Sequence, residues 1–336
     1  MSKELSTIKI HVTLKGQGVV NFDSTDQQQV ILATHTISLP KDSKGGIPKC
    51  MKIAKASYVK DSEGNFSRTS KVSSQCLRQG IYKQMHNPNI IHSPALFNDY
   101  ASSKSGLMGG YMFAREKTAK RKSPLTVIDA HETSGAVPTF GVHSNSGDRN
   151  DTSLYYVEEV GQTRFETDMF INLSELQFIP LSDTYGRNSV FPDGEEPFKA
   201  VLRSKYGSIE EGYYAIEGEE GQVPEYGVKL PGSAVCDIVK DFIGHLKKFR
   251  IDRANSYLEF DSAEFFIFEN GKWVRVDEPG DFTVNSRYVL VEDQVAAKKL
   301  HDDVCTQAKE EQAARKAAKN EEKAKKAAKK AEKKAK

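Results

Sequence analysis

The sequence predicts an α+β fold, on three observations. Residues 7–14, TIKIHVTL, alternate Ile8, Ile10, Val12 and Leu14 with Thr7, Lys9, His11 and Thr13, the pattern of a strand buried on one face and polar on the other. Residues 73–85 repeat apolar side chains at Leu77, Ile81 and Met85, intervals of four that make one helical face. Residues 263–291 supply further strands through AEFFIF, KWVRV and RYVLV. A strand packed on one side and polar on the other is how an open antiparallel sheet presents a working face.

Taken in chain order, residues 38–70 hold Pro40, Gly45, Gly46 and Pro48 among six lysines and read as a basic loop or small strand excursion. Ser73 is placed to cap the following helix, with Val72 stapling onto Leu77. Gly80 interrupts that helix at a cost of about 1 kcal/mol, which close packing would justify. Residues 99–123 mix glycines with the basic run Arg115–Lys122 and read either as a solvated loop or as a segment that binds a polyanion backbone. Residues 131–153 are turn-rich; the strand-like LYYVEEVG and TRFETDMFINLSELQFI follow, so a long β-hairpin projecting from the sheet is expected. The chain from Tyr185 to Pro231 reads as acidic and irregular, with a short strand at Tyr213 and Tyr214. Residues 233–249 read as a helix. Trp273, after the Asn270-Gly271 turn signal, reads as sheet core or edge packing. From Val295 onward a Lys/Ala/Glu helix is expected to project more than it packs.

The formal net charge of +2 conceals a segregation. Residues 1–130 carry 19 Lys+Arg against 9 Asp+Glu, residues 131–294 carry 15 against 30, and residues 295–336 carry 14 against 7. Separate basic and acidic regions suit a polyanion on one surface and a neighbouring copy on the other. Cys50, Cys76, Cys236 and Cys305 lie far apart with no metal-ligand spacing, so reduced thiols and no zinc are expected. The start, MSKELSTIKI, lacks a signal-type apolar run, and no stretch reaches membrane-spanning length; a cytoplasmic location without membrane partners is the expectation.

An enzyme needs a constellation, and none of G-x-x-x-x-G-K-[ST], H-E-x-x-H or G-x-S-x-G occurs. His131 and Glu132 are adjacent, but neighbours on a strand face opposite ways. No catalytic residue, metal or cofactor is assigned. The helix start is more informative: Lys71, Ser73, Ser74 and Gln75 sit where free backbone N–H groups and the positive helix end favour phosphate, and Arg78 offers a planar fork one turn in. Ser73 would equally serve as a plain cap.

Residues 71–78, KVSSQCLR, resemble the [R/K]-[V/I]-S-S-Q-x-L-[K/R] signature of the repeated backbone subunit of type I CRISPR surveillance complexes (Cascade), in the RAMP superfamily. The run from DTSLYY at 151–156 to FINLSEL at 170–176 is similar to the same family. Chain length matches the type I-F branch or its variant, and the resemblance covers roughly residues 5–290. It implies a ferredoxin-like palm built as a modified RNA-recognition motif, with finger insertions and a β-hairpin thumb at about 131–167. The palm with its insertions would occupy 1–294, and a basic helical tail 295–336. It also implies RNA-backbone contacts at Lys71, Ser73, Ser74, Gln75 and Arg78. Expected partners are a CRISPR guide RNA, copies of this chain, other Cascade subunits and target DNA paired to the guide. Two other readings are open at this point: a RAMP-type guide-processing endoribonuclease, and a generic RNA-packaging protein of nucleocapsid type. Asp42 is the residue that a target-slicing relative would bring to mind, though its surroundings do not single it out.

Overall fold

The computed structural model describes residues 3–22, 51–85, 94–144 and 154–311, with short breaks, and residues 314–315. Two compact units emerge, each discontinuous in sequence. One comprises 1–110, 123–176 and 232–285; the other 111–122, 177–231 and 286–336.

The first unit is built on one antiparallel sheet. Its strands run in the spatial order Arg250–Arg253, Ser256–Glu269, Thr7–Gln17, Gln162–Asn172, Ala130–Glu132, Phe66–Val72 and Ala56–Lys60. Lys272–Val276 adds to Ser256–Glu269, and Leu125–Val127 pairs with Gln162–Asn172. The first strand pairs with Gln162–Asn172 without a break from Thr7↔Asn172 to Gln17↔Gln162. Helix Ser74–Met85 lies in the chain between the first strand and the 125–132 segment, and helix Gly232–Leu246 between Gln162–Asn172 and Ser256–Glu269. With those helices, the strand order fourth, first, third, second is that of the ferredoxin-like βαββαβ arrangement.

Alternation decides the faces. Ile8, Ile10, Val12 and Leu14 are fully buried, and Phe165, Met169 and Ile171 of the partner strand are buried alongside. Leu77 and Ile81 of the first helix, with Val235, Ile238, Val239 and Phe242 of the second, complete the core. The helix glycine has the reason the sequence asked for: a Cβ on Gly80 would lie 2.5 Å from the Phe249 ring and 2.9 Å from Ile251. Gly80→Ala is therefore expected to destabilise the chain by about 1–3 kcal/mol in denaturant unfolding, although alanine is the better helix former. At the other end of the sheet Asn270 (φ 50°) and Gly271 (φ 77°) make the tight turn that leads to Trp273. Trp273 lies on the edge strand, 39% exposed, its ring edge-on to Phe268.

Thr139–Ser144 and Leu154–Glu159 form an antiparallel hairpin, with Met51–Lys52 parallel to its second strand. The structure places the ends of the expected 131–167 projection in the main sheet: Ala130–Glu132 and Gln162–Asn172 are paired there. A period-two pattern marks a strand without saying which sheet takes it.

Two readings are corrected. Residues 185–231 are not irregular: they hold helix Glu195–Tyr206 and the paired strands Glu210–Ile216 and Glu225–Lys229. Phe198 and Leu202 bury one helical turn apart, a signal hidden by the acidic composition around them. Phe178 stacks on Tyr288 at 4.3 Å and meets Tyr214 edge-on, forming a small aromatic core. The described part of residues 99–123 holds the end of helix Pro94–Ala101 and helix Lys104–Gly109 in the first unit and the paired strands Tyr111–Ala114 and Thr118–Arg121 in the second; residues 115–117 of the basic run lie outside the described residues.

The tail helix begins at residue 294, capped by the Asp293 carboxylate, which accepts from the amides of Val295 (3.1 Å) and Ala296 (2.9 Å). Its first turns pack: Ala297 and His301 are buried four residues apart, and the imidazole lies against Tyr213. The boundary expected at 294/295 thus falls inside the second unit. The tail beyond residue 315 lies outside the described residues, as do Cys50 and Asp42.

Candidate nucleic-acid interface

The segment carrying the signature motif folds as a strand end running into a helix. Lys71 and Val72 close the Phe66–Val72 strand, pairing with His131 and Ala130. Ser73 is the cap, its Oγ accepting from the Cys76 amide at 3.4 Å while its carbonyl accepts from the Leu77 amide at 3.0 Å. Val72 and Leu77 are both buried, as a staple requires. Gln75 is exposed at the helix start, and its amide has no partner among the described residues.

Reading by spacing did not anticipate Asp129. Its carboxylate accepts from the Ser74 amide at 2.7 Å and from the Lys71 ammonium at 3.0 Å, so an internal anion occupies the helix start. Partial burial pushes the Asp129 carboxyl up, but the Ser74 amide and Lys71 outweigh it and hold it below the usual carboxylate range. Arg78 also differs from expectation. Its guanidinium donates to Ser123 Oγ at 3.1 Å and to the Leu125 carbonyl, tying the helix to the strand behind it. Helical spacing tells which side Arg78 faces, not which oxygen it finds there.

Two further cations belong to the neighbourhood. Lys55 and Arg253 both favour the thiolate of Cys76, the third helical residue, although burial dominates and raises that thiol. Among the described residues neither forms an ion pair. The Lys55 backbone is woven in, its carbonyl accepting from the Lys71 amide at 2.8 Å. Lys55 falls within the 38–70 stretch read as a basic loop or small strand excursion, whose described part forms the strands Met51–Lys52, Ala56–Lys60 and Phe66–Val72 while residues 38–50 lie outside the described residues; the return of Arg253 to the same place depends on the sheet order.

The open sheet face is polar and internally paired. Lys9 and His11 reach Asp168 at 2.8 and 2.9 Å, Arg164 lies 3.4 Å from Glu166, and Arg275 lies 2.8 Å from Glu264. His131 and Glu132 do not act together: the Glu132 carboxylate accepts from the amides of Ser134 (2.7 Å) and Gly135 (3.0 Å) in the following turn. Carboxylates of Glu195, Glu196 and Glu211 gather in the second unit, but the buried Lys199 ammonium already sits among them. Cys76, Cys236 and Cys305 are free thiols.

A model of the Cas7fv-like family, described as type I-Fv CRISPR-associated proteins, matches residues 5–288. The chain belongs to that family. It is a RAMP-type structural subunit of a CRISPR surveillance ribonucleoprotein, an RNA-binding and non-catalytic role, so the endoribonuclease reading falls away. Among solved structures, a CRISPR RNA-guided surveillance complex chain is similar over 90% of this chain and 84% of its own, at 11% identity and a TM-score of 0.37. A chain of a pre-nicking surveillance complex is similar over 51% of this Cas7fv-like chain and 62% of its own, at 12% identity and a TM-score of 0.28. A type IV-B CRISPR complex chain is similar over 68% and 91%, at 8% identity and a TM-score of 0.27. A search of curated proteins returned no match. No helix among the described residues is long and apolar enough to cross a membrane.

Proposed function

We propose that copies of this chain assemble side by side along a CRISPR guide RNA in the cytoplasm, hold its backbone, and leave its base edges free for target DNA. Other Cascade subunits would cap the array. The βαββαβ unit is then a modified RNA-recognition-motif palm, the Thr139–Glu159 hairpin the moving part of the thumb, and the second unit a finger-like insertion. The guide backbone would pass the start of helix Ser74–Met85, where Lys71, Ser73, Ser74 and Gln75 offer ammonium, hydroxyl and amide donors and Lys55 and Arg253 flank them. Arg78 stands behind, fixing the helix. The observation that carries this reading is that the family's signature segment folds as a capped helix start with Lys55 and Arg253 beside it, neither of them in an ion pair among the described residues.

The chemistry is positioning: lysines and arginines neutralise phosphates, and base pairing supplies sequence recognition. Protein purified without nuclease should carry RNA in large, concentration-dependent assemblies. Each neutralised phosphate on single-stranded RNA should contribute a slope of about −0.7 to log K against log salt. A monodisperse, RNA-free monomer that ignores added guide RNA overturns the proposal, and binding of any RNA without regular length selects the nucleocapsid-type reading instead.

A further inference from the structure

Asp129 bridges the two donors that the guide backbone would use. A phosphodiester presents one negative charge on two unshared oxygens; so does a carboxylate. Asp129 Oδ1 takes the Ser74 amide and Oδ2 the Lys71 ammonium, one donor on each oxygen. Both side chains keep a solvent-facing side, with Asp129 31% and Lys71 21% exposed, so an incoming anion reaches them without opening the core. Asp129 sits in the short link between Leu125–Val127 and Ala130–Glu132, after the exposed Ile128.

We infer that Asp129 is an internal stand-in for a guide phosphate, holding Lys71 and the Ser74 amide in the free chain and releasing both when the RNA backbone docks. The inference rests on the guide-RNA reading above. A phosphate that docked with Asp129 still in place would leave two like charges side by side, and they would repel. Exchange avoids it: the phosphate inherits the two donors and the carboxylate turns to water. Such exchange gains little at this one position, since one charge-assisted pair replaces another. A small anion therefore has no reason to displace Asp129. A polyanion does, because the same docking brings neighbouring phosphates to Lys55 and Arg253, which have no carboxylate partner to give up among the described residues. The stand-in thus favours a polymer over free phosphate and keeps the donors satisfied until it arrives.

The test uses the full chain and a labelled single-stranded RNA, with anisotropy for affinity and thermal unfolding to confirm the fold. Asp129→Asn should bind about tenfold tighter than the natural protein, the worth of one charge-assisted contact no longer contested. That gain should vanish in a Lys71→Ala background, because the lysine is what the stand-in withholds. Should Asp129→Asn fail to fold, Asp129→Ser keeps an oxygen acceptor for the Ser74 amide and takes the same measurements. A folded Asp129 variant that binds no tighter overturns the inference, and so does a gain that persists in full without Lys71, which would reflect general charge alone. If the natural protein's own RNA binding ignores salt and Lys71, the guide-RNA reading fails first; if that binding holds and only the Asp129 gain is missing, the stand-in alone fails.

Discussion

Leu77→Ala is expected to lower stability by about 3 kcal/mol, and Arg78→Ala by about 2 kcal/mol, while Lys71→Ala leaves unfolding nearly unchanged and weakens RNA loading. Leu77 is fully buried beneath the helix start, so truncation loses transfer energy and leaves a cavity between helix and sheet. Arg78 is half-buried, and its guanidinium holds Ser123 Oγ and the Leu125 carbonyl. Its removal loses two charge-assisted hydrogen bonds and frees the helix from the strand it braces, although Ser123 Oγ and the Leu125 carbonyl keep each other as partners at 2.9 Å. Lys71 loses a partly exposed ion pair with Asp129, worth at most about 1 kcal/mol. Thermal unfolding and guide affinity on the same three variants separate the roles. An Arg78→Ala protein that melts like the natural chain but no longer loads RNA would show that the guanidinium leaves its internal partners for the guide.

How far the sequence reaches is visible within this one helix. Its cap, its staple and its apolar stripe follow from local rules, because each involves residues within a turn or two of one another; Gly80 tells only that something packs closely, and the partners, Phe249 and Ile251, come from far along the chain. Asp129 and Arg253 do not follow from such rules. They arrive at the helix start from 58 and 182 residues away from Lys71, through the strand order of the sheet, and no periodicity in residues 71–85 points to them. The same limit explains the 185–231 segment. Glu195, Glu196 and Glu211 make it look solvated, yet they converge on Lys199, whose side chain is only 3% exposed, and so allow a charged stretch to fold. Composition reports charge; only tertiary pairing reports whether that charge is spent internally. The tail shows the converse: its Lys/Ala/Glu composition from Val295 suggested projection, yet in its first turns Ala297 and His301 are buried, the imidazole against Tyr213.

Removing the Thr139–Glu159 hairpin is expected to abolish ordered assembly while sparing the fold. Replacing residues 137–160 with a short Gly/Ser linker cuts beyond the end of the main sheet, where the Thr133 amide donates to the Arg164 carbonyl at 2.8 Å and already holds the two flanking strands together. Beyond its own two strands the hairpin pairs, among the described residues, only with the two-residue strand Met51–Lys52, so it contributes little stability and the melting temperature should fall only slightly. Non-specific RNA affinity should survive, since Lys55, Lys71, Gln75 and Arg253 all lie elsewhere in the unit. What a bridging hairpin supplies is a link between neighbours already held close by one RNA, and its loss should lower cooperativity by about tenfold or more. Nuclease footprinting on a guide loaded with intact protein should show protection at regular intervals, and the deletion should blur or erase that period. If periodicity and cooperativity both survive, the hairpin is not the thumb, and helix Glu195–Tyr206 with its flanking strands becomes the segment to remove next.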